Sequence, residues 1–388
     1  MSVGIDEISF YTSNYYLDLK TLAEVQGTDP EKYYTGIGQE KMGMAAPDED
    51  IVTMAASAAL PLIERVGPDA ISTLMFATET GIDQSKAAGI YVHRLLGLNS
   101  NCRVVELKQA CYSATAALQM ACALVARKPE SKVLVIASDI ARYDLDTPGE
   151  ATQGCGAVAM LISANPRLVS IDPEVGNYTE DVMDFWRPNY RSTALVDGKY
   201  STKIYLKALK KAWDNFREVS ELEFSDFSRF CYHLPFSRMA QKAHQQLVRH
   251  NKAPLSADEQ EAQISDTLSY NRIIGNSYTA SMYIGLASLL ENTLEDLSGQ
   301  RIGFFSYGSG CVGEFFSGTV IAGYRDALHV QRHRELLAAR REISHDEYLQ
   351  LYRHQVPTDG GEHRFAEGTT GRFRLAGIVH HKREYIPC

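Results

Sequence analysis

No two cysteines of this 388-residue chain stand in a Cys-x-x-Cys spacing, which excludes the common zinc ribbons and the thioredoxin-type redox motif. The seven that occur, at 102, 111, 122, 155, 231, 311 and 388, are odd in number and scattered, as in a reduced, cytoplasmic thiol inventory. No apolar run reaches the ~20 residues of a membrane span. The longest, Ala114 to Ala126, is broken by Gln119. No basic-then-apolar signal pattern opens the chain, and no Pro/Gly/Ser-rich linker divides it. Nor is there a Lys/Arg-rich block: 39 basic against 48 acidic residues leave a net charge of −9, against general nucleic-acid binding. A cytoplasmic enzyme with small-molecule substrates, no membrane and no nucleic acid is the expectation.

What is present reads as α/β. Apolar strands at Ile71–Thr78, Arg103–Leu107, Lys132–Ser138 and Gly156–Ser163 alternate with helical patterns at Ile51–Val66, Gln84–Leu96 and Tyr112–Arg127. The turn at Asn165-Pro166 is the best boundary, dividing the chain into residues 1–165 and 166–388. A loose echo crosses it. Strand Ile71–Thr78 ends in Glu79, and strand Phe227–Tyr232 ends in His233; Cys111 and Asn276 each precede a helix of small residues. Lys132–Asp139 likewise matches Arg301–Gly308. Two similar halves would place Glu79 opposite His233 and Cys111 opposite Asn276, at strand ends where α/β sheets bind ligands. Beyond Arg325 the chain turns charged, with amphipathic helices expected at Leu328–Arg341 and His345–Arg353 and a late strand at Arg372–His380.

Cys111 is the candidate nucleophile. Its place before a helix predicts a thiol pKa lowered by unpaired N–H groups and the helix dipole. A small buried hydrophobe is the alternative for any lone Cys. Glu79, at the end of an apolar strand, is expected to have a raised pKa suited to moving protons on and off carbon, or else to be a solvated strand end. His233 can donate a hydrogen bond to a reacting carbonyl, or be a satisfied core imidazole. Gly308-Ser309-Gly310 lets backbone approach a substrate. His329 and His333 stand at i, i+4 without a third ligand, so no metal site is expected. Lys203, Lys207, Lys210 and Lys211, with Arg238 and Lys242, form either an anion-binding patch or a solvated face.

These pieces resemble the 3-hydroxy-3-methylglutaryl-CoA synthase family, of the bacterial type, within the thiolase superfamily. The resemblance is carried by Gly36-Ile-Gly-Gln-Glu-Lys-Met-Gly43, Glu79, Gln109-Ala-Cys-Tyr-Ser-Ala-Thr-Ala-Ala117 and Gly154-Cys-Gly-Ala-Val-Ala-Met-Leu161. Val196-Asp-Gly-Lys-Tyr-Ser201, His233-Leu-Pro-Phe236, Asn276-Ser-Tyr-Thr-Ala-Ser281 and Ser306-Tyr-Gly-Ser-Gly310 complete it. It implies a thiolase-like fold of two pseudo-symmetric halves in α-β-α-β-α layers, and a homodimer with a sheet continuing across the interface. It further implies condensation of acetyl-CoA with acetoacetyl-CoA in the mevalonate pathway, CoA thioesters being substrates and no cofactor being needed. Glu79, Cys111 and His233 are then the catalytic trio. Asp29, Thr152, Ser201, Lys242, Asn276 and Ser309 match substrate-contacting positions, and Lys207 and Arg238 are expected near the CoA phosphates. The loop Asp144–Ala151 departs from the family pattern, and Arg238 stands where a lysine is common. A ketoacyl-carrier-protein synthase or a thiolase is the alternative within the superfamily, with a silent scaffold on the same fold as the more distant one. A carboxylate at position 79 separates the family from the first, and the absence of Gly-His-Pro after strand Phe227–Tyr232 from the second.

Overall fold

The structure is a computed structural model that describes all 388 residues. The first half of the chain runs β1 (Val3–Thr12), α1 (Ile51–Val66), β2 (Ile71–Ala77), α2 (Ala88–Leu95), β3 (Arg103–Leu107), α3 (Ser113–Arg127), β4 (Lys132–Ala141) and β5 (Gly154–Ala164). It continues as β6 (Val169–Thr179), α4 (Gly198–Ser220), β7 (Arg229–Tyr232), α5 (Ser237–Asn251), α6 (Ser281–Asn292), β8 (Arg301–Gly308) and β9 (Val312–Val320). Nine strands pair in the order β7-β8-β9-β6-β1-β5-β4-β2-β3.

That order contains the same arrangement twice. From the centre outward, β1-β5-β4-β2 is matched by β6-β9-β8-β7, and in both the fourth strand is parallel to the third while the second is antiparallel to its neighbours. Within the sheet the halves pair through two residue pairs, Gly4 with Ser170 and Ile5 with Val169. β3, on the outer edge of the first half, has no counterpart.

Strand alternation sorts side chains into layers. Val133, Val135, Ala137, Phe304 and Phe316 pack with α3 and α6 in one core. Leu134 and Ile136 point the other way, against α1 and α2. Phe305, Tyr307 and Phe315 join Trp213 of α4 and Met239 of α5 in a third core. α3 and α6 are therefore the middle layer between two β layers, with helices outside both. The small residues Ala114, Ala117 and Ala121 of α3 and Gly285 and Ala287 of α6 suit helices enclosed between sheets.

Local chemistry sets the boundaries. Asp50 caps α1 in a capping box with Thr53, and Gly67, at φ 81°, ends it. α2 starts at Ala88 rather than at Gln84. Asp83 accepts hydrogen bonds from the N–H groups of Ser85 and Lys86, holding a turn there, and the Glu106 carboxylate receives the Ala88 N–H at 2.7 Å. The helix expected over Leu328–Arg341 is confined to Val330–Ala338, and the strand expected from Phe227 begins at Arg229 after a helical turn at Phe224–Asp226. No helix is long and apolar enough to cross a membrane.

Candidate active site

The carboxyl ends of β3, β4, β7 and β8 open on a cleft of about 910 Å³. Cys111, after β3, and Ser309, after β8, contribute to its wall, together with Thr152, Ser201, His233 and Asn276. The aromatic side chains Tyr143, Phe185, Tyr205, Tyr278 and Tyr307 make much of the remaining lining. Concave, mostly apolar walls with a few convergent polar groups are the usual make-up of a small-molecule site.

Glu79 meets the cleft through Cys111, whose thiol donates to Glu79 Oε1 at 3.0 Å. Burial, then the negative charge of Asp139, push the Glu79 carboxyl up to about 8. The Cys111 thiol is also raised, well above its ordinary value, by burial and by Glu79. This corrects the lowered thiol expected at a helix start. α3 begins at Ser113, two residues later, and burial beside a carboxylate outweighs a helix dipole that lies beyond the sulfur's residue. The cysteine is an activated pair with its neighbour rather than a standing thiolate. Ala110, just before it, holds a left-handed φ of 44°, a strained position for a residue with a Cβ.

The backbone around this pair is built from long-range contacts. Asp139, at the end of β4 and fully buried, accepts hydrogen bonds from the N–H groups of Glu79 (2.9 Å), Thr80 (2.9 Å) and Thr279 (3.1 Å), and from the hydroxyls of Thr78, Thr80 and Thr279. Arg187 donates to the Glu79 carbonyl oxygen. Asp184 organises the opposite wall, accepting from Ser201 Oγ (3.1 Å), Tyr307 OH (2.7 Å) and the Gly310 N–H (2.9 Å). Gly308 is needed for packing as well as for access. A Cβ there would lie 2.4 Å from the Gln109 carbonyl oxygen and 2.7 Å from Tyr112 Cβ, so its bareness lets β8 approach the Cys111 loop.

His233 is 4% exposed, and burial pulls its imidazole down to about 3, so the ring is neutral at any working pH. Its Nδ1 lies 3.0 Å from Ser281 Oγ, and its carbonyl accepts from Tyr205 OH at 2.9 Å. Asn276 is buried, with Oδ1 receiving the Tyr278 N–H at 2.8 Å.

The remaining candidates lie away from the cleft wall. Asp29 is exposed and receives the Glu31 N–H at 3.0 Å in a turn. Lys207 is ion-paired with Glu180 at 2.7 Å, which occupies the charge expected for a phosphate. Arg238 donates to Gln241 at 2.7 Å, and Lys242 rests 5.7 Å from the ring centre of Phe236, itself a cleft residue. Cys311 is buried outside the lining. The sequence reading passed over Asp139, Asp184, Arg187 and Tyr143. Asp139 carried the same signal as Glu79, an acid closing a buried strand.

Residues 1–167 match the family model "Hydroxymethylglutaryl-coenzyme A synthase N terminal", and residues 169–253 and 248–357 match its C-terminal counterpart. The chain belongs to the hydroxymethylglutaryl-coenzyme A synthase family. It is 41% identical over 361 residues to the hydroxymethylglutaryl-CoA synthase of Enterococcus faecalis, covering 92% of this chain and 94% of that protein. A crystal structure of an HMG-CoA synthase complexed with CoA matches with a TM-score of 0.96 at 41% identity, over 100% of both chains. The structure of MvaS in complex with 3-hydroxy-3-methylglutaryl coenzyme A matches with a TM-score of 0.91 at 38% identity, over 100% of this chain and 99% of that one. Its family membership makes the chain an enzyme with a thiolase-like fold. The doubled strand order is this family's fold in outline.

Proposed function

We propose that this chain condenses acetyl-CoA with acetoacetyl-CoA and water, giving 3-hydroxy-3-methylglutaryl-CoA and CoA through an acetyl thioester on Cys111. One observation carries the reading: a carboxylate of raised pKa lies within hydrogen-bond distance of the thiol that takes the acetyl group. An acetyl group on Cys111 leaves its methyl hydrogens next to a base, which a decarboxylating synthase does not need.

The Cys111 sulfur attacks the acetyl-CoA carbonyl as its proton passes to Glu79, and the departing CoA thiolate recovers that proton. The N–H groups of Cys111 and Ser309, neither of which enters a main-chain hydrogen bond, receive the thioester oxygen. Glu79 next removes a methyl proton. The resulting carbanion equivalent attacks the ketone carbon of acetoacetyl-CoA, and protonated Glu79 returns its proton to the new alkoxide. His233, neutral, donates a hydrogen bond to the acetoacetyl group beside Asn276. Water then cleaves the thioester, releasing the product carboxylate and restoring the Cys111 thiol. Thr152 and Ser201 contact substrate from the wall.

The mevalonate pathway and a cytoplasmic location belong to the same reading. So does a homodimer across the free edge of β3, supported by Val105 on that strand at 40% exposed and Met120 on α3 at 52%. The reading is tested by incubating the protein with labelled acetyl-CoA, mapping the label, then adding acetoacetyl-CoA and identifying the product by mass. Label on Cys111 and a product of the expected mass support it; label on Cys231 or Cys311 contradicts it.

A further inference from the structure

Ser281 is the first residue of α6 and is fully buried, yet its hydroxyl is aimed at a ring nitrogen of His233. We infer that Ser281 is a positioning residue: its hydroxyl donates to His233 Nδ1, locking the imidazole in the tautomer that carries its proton on Nε2, toward the cleft.

The argument is one of counting donors and acceptors. Ser281 Oγ has two neighbours, the Leu234 N–H at 3.3 Å and His233 Nδ1 at 3.0 Å, and it makes no other hydrogen bond. The Leu234 N–H can only donate. If Nδ1 also carried a proton, both neighbours would donate and the hydroxyl hydrogen would be left without an acceptor on a fully buried side chain, an unfavourable arrangement. An unprotonated Nδ1 accepts that hydrogen and satisfies all three groups. A doubly protonated ring is excluded on the same count, in keeping with burial holding the imidazole neutral. Nε2 has no protein partner, and His233 lines the cleft, so Nε2–H is the donor left for a substrate oxygen. The Tyr205 hydroxyl on the His233 carbonyl and the His233 N–H on the Phe305 carbonyl at 2.8 Å fix the backbone that carries the ring.

The inference rests on the proposed role of His233 only for its catalytic consequence; the tautomer itself is measurable in the resting protein. With imidazole-¹⁵N histidine labelling, and the His233 signals identified by their loss in His233→Asn, Nδ1 is expected in the unprotonated range and Nε2 in the protonated range. In Ser281→Ala, the lock removed, a tautomer mixture is expected. KM for acetoacetyl-CoA should rise or condensation fall by about tenfold, the scale of one lost hydrogen bond. Labelling of Cys111 by acetyl-CoA should be unchanged, and Ser281→Thr, which keeps a hydroxyl, should restore the single tautomer. A proton on Nδ1 in the wild-type protein overturns the inference. So does an unchanged tautomer in Ser281→Ala, whatever its activity. If instead His233→Ala left acetoacetyl-CoA use intact, the role of His233 would fall while the tautomer assignment stood.

Discussion

Asp139 binds the backbone N–H of Glu79 through one carboxylate oxygen and that of Thr279 through the other, at 2.9 and 3.1 Å. One buried side chain thus ties the carboxylate of the first half to the loop of the second that carries Asn276. Each of its oxygens receives at least one backbone N–H, so an amide in its place turns an NH₂ toward a group that can only donate. Asp139→Asn is expected to lose roughly 1–3 kcal/mol in denaturant unfolding, the cost of buried groups left unpaired. It also removes a negative charge that raises Glu79. In the fraction that folds, the rise of condensation rate with pH should therefore move to lower pH, as a pH–rate profile can show.

Gly308→Ala tests the close approach of β8 to the Cys111 loop. The added methyl meets backbone and a Cβ rather than a mobile side-chain end, so the loop itself has to shift. Overpacking of this kind costs about 1–3 kcal/mol. Cys111 labelling by acetyl-CoA should slow along with a lowered melting temperature. Normal labelling by a fully stable Gly308→Ala would mean that the loop has room.

Glu79 should leave a signature in stability as well as in rate. Its carboxyl ionises at about 8 when folded and near 4.5 as an ordinary carboxylate. Between these values the folded chain keeps a proton that the unfolded chain releases. This contribution to stability is complete below about 4.5 and is lost as pH rises through about 8. Glu79→Gln is neutral throughout. Its stability relative to the wild type should climb from pH 5 to pH 8 and then level off, as urea midpoints at matched pH would reveal. A constant difference across that range would contradict the raised carboxyl.

The fold was legible where the signal was local. Ile51–Val66 and His345–Arg353 carry their own caps and periodicity, and β2 and β3 their own apolar runs. The halves were legible because Glu79 and His233 close equivalent strands. The ends of α2 were not, since Glu106, on another element, supplies the carboxylate at its start. The Cys111 pKa was misjudged for the same reason. A helix start is visible in sequence, whereas burial and the Glu79 neighbour are tertiary. Asp139, whose partners lie at 78–80 and 279, and Asp184, which reaches Ser201, Tyr307 and Gly310, were invisible as hubs until the chain was folded.

Condensation through a base beside an acetylated cysteine is tested most directly by Glu79→Ala. Removing the carboxylate takes away the group that abstracts the methyl proton, and also a negative charge that raises the Cys111 thiol. Transfer of labelled acetyl from acetyl-CoA to Cys111 should therefore persist, the proton going to the departing CoA. Overall synthesis should fall by roughly 10²–10⁴-fold, as when a positioned base is lost. The labelled protein should accumulate and survive added acetoacetyl-CoA. Near-normal product formation by Glu79→Ala would contradict the account.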